Sequence, residues 1–154
     1  MGAVEARLAE LGLEVPPVAP PVAAYVPAVR SGDLVWISGQ VPVVNGEVLA
    51  TGKVGAEIAA DRAAELARVC ALNAIAALKA ELGDLDAVER IVKVVGFVAS
   101  DPSFFGQPAV VNGASELLAA AFGDAGRHAR SAVGVAVLPL DVPVEVELVA
   151  KVRA

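Results

Sequence analysis

The feature that most constrains the fold is a long stretch of helical spacing that lies between segments with the spacing of strands. Over residues 56–82 the apolar side chains recur on one side of a helix and the charged side chains on the other, and Gly83 ends the pattern. Such a helix needs a second layer to cover its apolar side. That side carries Ile58, Leu66, Cys70, Ala74, Ala77 and Leu78.

Strand and turn signals surround this helix in an order typical of an α+β fold. Asn45-Gly46 is a strong two-residue turn signal, and Gly123 ends a second helical pattern over residues 108–122. The order is strand, strand, helix, strand, helix, strand, strand, so two helices should pack on one face of a mixed sheet. The other face then needs a partner, and we expect it to carry oligomer contacts. The predicted strands include residues 25–29, 33–38, 87–100 and 144–152 and the segment that follows His128.

The length of 154 residues predicts a single domain over residues 1–154 that buries its own core. Residues 3–12 have helical spacing, and residues 15–27 contain five prolines. We interpret residues 1–24, approximately, as an N-terminal helical and proline-rich arm.

Composition argues against several functions. A net charge of −6 disfavours nucleic-acid binding, and no uncharged apolar run approaches the roughly 20 residues of a membrane span. Cys70 is the only cysteine and the N-terminus has no secretory pattern, so we expect a cytoplasmic protein. A hydrophobic content of 56% predicts additional burial in a homo-oligomer.

The strand after His128 carries a charged side chain among small residues. Arg130 shares a face with Ala132 and Gly134, whereas the other face is bulkier and nearly all apolar. We expect the bulky face to pack and the Arg130 face to stay open, where a guanidinium could bind a carboxylate. The alternative is a structural ion pair between Arg130 and Glu145 or Glu147.

Four segments in this order resemble the Rid family of YjgF-like proteins, which are reactive-intermediate deaminases that were also labelled L-PSP endoribonucleases. The similarity covers about residues 20–152, and the N-terminal helix and residues 104–108 lie outside the shorter family pattern, as in a longer branch. The segments are residues 24–26 (AYV), 36–42 (WISGQVP), 111–112 (VN), and 129–131 (ARS) followed by 138–147 (LPLDVPVEVE).

The resemblance implies a chorismate-mutase-like α+β fold that assembles as a homotrimer with clefts between neighbouring subunits. It also implies hydrolysis of enamines and imines, of the 2-iminopropanoate and 2-iminobutanoate type, to 2-keto acids and ammonia. The substrate is then a small carboxylate-bearing compound, and neither a metal nor an organic cofactor is expected.

Matched position by position, the resemblance implies catalytic roles for two residues. Arg130 occupies the position of the carboxylate-binding arginine, and Glu145 that of the acid near the reacting carbon. Ala132 stands where the best-known deaminases have a cysteine, which bears on rate and substrate choice. The substrate-binding positions are Tyr25, Ser38, Asn112, Arg130 and Ala132.

Each of these residues also has a purely structural interpretation. Glu145 and Glu147 share one face of the last strand and would suit a solvated sheet edge. Tyr25 would suit a subunit interface, Ser38 a turn, and Asn112 a helix cap. His128 is the sole histidine, and we interpret it as a loop residue that flanks the site; Cys70 is interpreted as a core residue.

Two other functions are weighed against the deaminase. A non-catalytic trimeric module that binds small carboxylates or a protein partner would keep the cleft without turnover, as Ala132 suggests. An endoribonuclease rests only on the old family label, and the acidic charge and the single histidine disfavour it.

Overall fold

The computed structural model describes residues 1–21 and 23–154, and a five-stranded sheet lies at its centre. The strands are β1 (Ala28–Ser31), β2 (Leu34–Gln40), β5 (Val88–Ala99), β6 (Ala129–Val135) and β7 (Val144–Val152), and a separate hairpin contains β3 (Val43–Val44) and β4 (Glu47–Val48). The sheet order is β1-β2-β7-β5-β6. Only the β5–β6 pair is parallel, so the sheet is mixed, as predicted.

Helices α2 (Ala60–Leu82) and α3 (Gln107–Phe122) cover one face of this sheet. They approach closely at Gly113 of α3, where an added Cβ would collide with the backbone carbonyl of Ala64 on α2. Glycine at this position therefore sets the distance between the two helices. The predicted layer of two helices on one face of a mixed sheet is confirmed.

The alternation along β7 shows which face of the sheet is the core. Val144, Val146 and Leu148 are buried beneath the helices, whereas Glu145 and Glu147 on the opposite face are half-buried. Burying a valine or leucine side chain contributes about 1.5–3 kcal/mol, so each of these three residues stabilises the fold. Cys70 of α2 is fully buried against it, and burial raises the pKa of its thiol well above the ordinary value. The interpretation of Cys70 as a core residue is confirmed.

The predicted Asn45-Gly46 turn is confirmed. Both residues have the positive φ that a two-residue hairpin turn requires, 52° at Asn45 and 81° at Gly46. Asn73 of α2 donates to the carbonyls of Val41 and Val43 at 3.1 and 3.0 Å, so the connection after β2 is attached to the helix layer.

The N-terminal helix α1 (Ala3–Glu10) is packed into the core through Val4 and Leu8. Its first turn is anchored by Asp86, whose carboxylate accepts from the backbone N–H groups of Ala3 and Val4 at 2.8 and 3.1 Å. These two hydrogen bonds lower the pKa of Asp86. The helical half of the predicted arm is thus a fixed element of the fold.

On the face of the sheet opposite the helices, large apolar side chains are exposed in the part of the chain that the structure describes. Trp36 and Val29 are each 52% exposed there, and Val133 is 42% exposed. Exposed apolar side chains on one continuous sheet face are typical of a surface that contacts another subunit.

Among the helices of residues 1–21 and 23–154, none has the length and apolar character needed to cross a bilayer.

Candidate functional site

Arg130 lies on the helix-covered side of β6, which is the opposite of the face prediction. Ala132 packs against the core, and the space beside Gly134 is filled by the side chain of Gln107 from α3. The face that we expected to pack is the exposed one, because it carries Val133. The small residues beside Arg130 leave room for α3 rather than for solvent.

Helix α3 nevertheless holds the Arg130 guanidinium without enclosing it. Nη1 donates to Asn112 Oδ1 at 2.8 Å and to Ser115 Oγ at 3.2 Å, and Nη2 donates to the Pro108 carbonyl at 3.3 Å. A guanidinium has five N–H donors, and three of them have partners in the part of the chain described, so two remain for a ligand. An open cavity of about 320 Å³ adjoins the group.

Two structural alternatives for this cluster are wrong. Asn112 does not cap α3, because the helix begins at Gln107 and Asn112 lies in its second turn, where it accepts from Arg130. Within residues 1–21 and 23–154 Arg130 forms no ion pair with Glu145 or Glu147. Strand β5 separates β6 from β7, which places those carboxylates two strands away and on the other face.

Sequence reasoning missed Ser115 as a partner of Arg130. The signal that could have found it is the spacing of three residues between Asn112 and Ser115, which places both on one side of a helix. His128 lies beside the cluster, as expected, and its ring is hydrogen-bonded to Ser115.

Glu145 lies on the uncovered face of β7, in the middle of the sheet. The interpretation of a solvated edge strand is wrong, because β7 pairs with β2 on one side and β5 on the other. Burial, with the neighbouring Glu147 carboxylate as a second cause, raises the pKa of Glu145 above its ordinary value. The side chain is therefore able to hold a proton at a higher pH than a solvated glutamate.

A cavity of about 320 Å³ brings Glu145 together with Tyr25 and Gly39. A bulge in β2 sets two residues, Ser38 and Gly39, opposite a single residue of β7, and this turns Gly39 toward the carboxylate. The Ser38 hydroxyl donates to the Val26 carbonyl at 2.6 Å and so fastens the segment that carries Tyr25. The walls of the cavity are mostly apolar and include Pro20, Pro21, Ala23, Val41 and Pro139.

The six predicted site residues thus form two clusters in one chain. Arg130, Asn112 and Ala132 lie at β6 and α3, on the helix side of the sheet. Glu145 on the central strand β7 lies with Tyr25 and Ser38 on the other side of β5. Their two cavities have no lining residue in common. A small molecule cannot contact both clusters of the same chain.

Replacing Glu145 with glutamine is expected to stabilise the fold above about pH 4.5 and to have no such effect at lower pH. Because the pKa of Glu145 is raised on folding, the unfolded chain loses this proton first as the pH passes the ordinary value of 4.5. The wild-type free energy of unfolding therefore falls as pH rises from there through the raised pKa, and glutamine has no proton to lose. Thermal melts across a pH series measure this; a constant difference at every pH contradicts the raised pKa.

In the part of the chain that the structure describes, no group of three or more His, Cys, Asp or Glu side chains is placed to hold a metal ion. The sole histidine has both ring nitrogens engaged, one with a backbone carbonyl and one with a hydroxyl.

The fold and these two clusters define a class of protein. A YjgF/chorismate mutase-like family model, whose description also carries an endoribonuclease label, matches residues 5–152. The chain belongs to the YjgF/chorismate mutase-like family.

Several relatives are similar over nearly the whole chain. Protein TCP17 of Trypanosoma cruzi is 46% identical over 147 residues, which cover 95% of this chain and 92% of the relative. Atu1372 of Agrobacterium tumefaciens is 42% identical with a TM-score of 0.91, covering 99% of this chain and 93% of that one. The structure of Escherichia coli TdcF with bound serine is 28% identical with a TM-score of 0.59, covering 91% and 94%. The match to Atu1372 includes the N-terminal helix, as expected for a longer branch.

Proposed function

We propose that this protein is a deaminase that hydrolyses enamine and imine intermediates of the 2-iminopropanoate and 2-iminobutanoate type to 2-keto acids and ammonia. The observation that carries the proposal is the environment of Arg130: its guanidinium is held by three hydrogen bonds beside an open cavity, and two of its donors have no partner among residues 1–21 and 23–154. A guanidinium can bind a carboxylate through two N–H groups, and such charge-assisted contacts contribute about 1.5–3 kcal/mol. TdcF, a member with bound serine, holds a ligand that also carries a carboxylate.

The division into two clusters supports a homotrimer with its sites between subunits. Arg130 projects from the edge strand β6, and Glu145 lies at the far side of β5 on the opposite face. A neighbouring copy that brings its Glu145 cluster to this edge would complete the site. The exposed apolar side chains of Trp36, Val29 and Val133 offer the surface for that contact.

The reaction requires little more than orientation and one proton carrier. With the substrate carboxylate on Arg130, a water molecule attacks the iminium carbon and the Glu145 carboxylate takes a proton from it, which gives a carbinolamine. Glu145 returns that proton to the amine nitrogen; the C–N bond then breaks, the hydroxyl becomes the keto group, and ammonia leaves as ammonium with the hydroxyl proton. The raised pKa of Glu145 suits it to both transfers.

A trapping assay tests the activity. An amino-acid oxidase generates 2-iminopropanoate, semicarbazide traps what is not hydrolysed, and the protein should lower the amount of trapped product in proportion to its concentration. The alternative, a binding module without turnover, is favoured by Ala132, which offers only a methyl group at its position. Saturable binding of 2-oxobutanoate with unchanged trapping would establish the module and exclude the deaminase.

Replacing Gly39 with alanine is expected to displace the Glu145 carboxyl group and lower kcat. An added Cβ would overlap with Glu145 Oε1, the end of a flexible side chain, so the side chain should turn away and the strand should stay in place. We expect kcat to fall about tenfold or more, from loss of alignment. The unfolding free energy should change by less than about 1 kcal/mol. Kinetics and thermal melting measure the two quantities; lost stability with normal kcat contradicts this interpretation.

A further inference from the structure

A chain of hydrogen bonds outside the predicted site residues ends on Arg130. His128 Nδ1 lies 2.6 Å from the Gly126 carbonyl, and His128 Nε2 lies 2.8 Å from Ser115 Oγ. Ser115 Oγ in turn accepts from Arg130 Nη1 at 3.2 Å. We propose that Ser115 and His128 are positioning residues that hold Arg130 in its carboxylate-binding orientation; this inference rests on the proposed function.

The first bond and a ring with a single proton together fix the direction of the remaining bonds. The Gly126 carbonyl can only accept, so His128 Nδ1 must carry a proton and donate. In the Nδ1-protonated tautomer the lone pair lies on Nε2, and the Ser115 hydroxyl donates to it. The lone pairs of Ser115 Oγ remain for Arg130 Nη1. His128 thus fixes the rotation of the hydroxyl, and the hydroxyl fixes one end of the guanidinium.

This arrangement holds Arg130 without neutralising its charge. Its partners are an amide oxygen of Asn112, a hydroxyl of Ser115 and a backbone carbonyl of Pro108, and all three are uncharged. A carboxylate in the same place would compete with the substrate for the guanidinium. The contact with Ser115 is partly buried, whereas those with Asn112 and Pro108 are exposed, so Ser115 makes the contact that water competes with least.

The tautomer of His128 is the first test. His128 is the only histidine, so labelling the full chain with 15N-histidine gives a single imidazole spectrum. In the neutral form of the ring we expect the proton on Nδ1, which faces the Gly126 carbonyl, and Ser115→Ala should change the Nε2 resonance. A neutral ring protonated at Nε2 would overturn the proposal, because Ser115 could not then donate to it.

Ligand binding by matched variants is the second test. Ser115→Ala and His128→Asn should each weaken the binding of 2-oxobutanoate roughly three- to tenfold, the size of effect that loss of one ordinary hydrogen bond predicts. The asparagine amide can still reach the Gly126 carbonyl but stops short of Ser115. His128→Gln, whose amide oxygen reaches the Nε2 position, should bind more tightly than His128→Asn. In the trapping assay these variants should raise KM and leave kcat nearly unaltered.

A double variant and two control variants complete the binding test. The double variant Ser115→Ala, His128→Asn should bind no more weakly than Ser115→Ala alone, since both substitutions cut the same chain of bonds. Ser103→Ala, in an exposed loop, should bind like the wild type. If Arg130→Ala loses binding while Ser115→Ala and His128→Asn keep it, the positioning role is wrong and the proposed function stands. If Arg130→Ala binds normally, the proposed function itself is wrong.

Discussion

Replacing Arg130 with alanine is expected to lower kcat/KM for 2-iminopropanoate at least about 100-fold, because two charge-assisted contacts to the carboxylate are lost. Binding of 2-oxobutanoate, which carries the same carboxylate, should be lost with it. The fold should persist, since the three hydrogen bonds of the guanidinium lie at the surface or are only partly buried. The trapping assay, calorimetry and a thermal melt measure the three quantities.

Two further variants make this result specific to the guanidinium fork. Arg130→Lys keeps the positive charge, but an ammonium on a flexible stem cannot contact Asn112, Ser115 and a carboxylate in one plane, so its activity should be intermediate. Arg62→Ala removes an exposed arginine of α2 that pairs with Glu65, and it should act like the wild type. Equal rates for Arg130→Ala and the wild type would contradict carboxylate binding by Arg130.

The sequence was sufficient to predict the sheet and its helix layer because these depend on local periodicity. The alternation in β7 separates Val144 from Glu145 at every second residue, and the observed bounds of this strand match the predicted ones. The alternation of side chains along a strand does not determine which face of β6 the helices cover. Arg130 was therefore assigned to the correct row of side chains but to the wrong side of the sheet.

The candidate site could be predicted only as far as single residues. Asn112 was interpreted as a cap although the predicted helix already began at residue 108; in the structure it lies in the second turn of α3 and bonds to Arg130. The contacts of Ser115 with His128 and Arg130 depend on how α3 meets the start of β6, which no local pattern encodes. The bulge that turns Gly39 toward Glu145 is likewise visible only in the strand register.

Mixing two inactive variants is expected to restore activity if each site is shared between subunits. Arg130→Ala retains Glu145, and Glu145→Gln retains Arg130, so a trimer that contains both chains has some sites with both native residues. With random exchange around a closed ring, about a quarter of all sites should receive Arg130 from one chain and Glu145 from the next. Coexpression, or refolding of an equal mixture, followed by the trapping assay, measures the fraction recovered.

A matched mixture distinguishes a shared site from a site within one chain. In an equal mixture of the wild type with the double variant Arg130→Ala, Glu145→Gln, about half of the sites are active before the subunits exchange. After random exchange, a shared site predicts that about a quarter are active. If both residues acted within one chain, the same mixture would stay at about half, and the two single variants would restore nothing. The opposite faces that Arg130 and Glu145 occupy on the sheet lead us to expect recovery. A monomer that hydrolyses the imine would contradict the shared site directly.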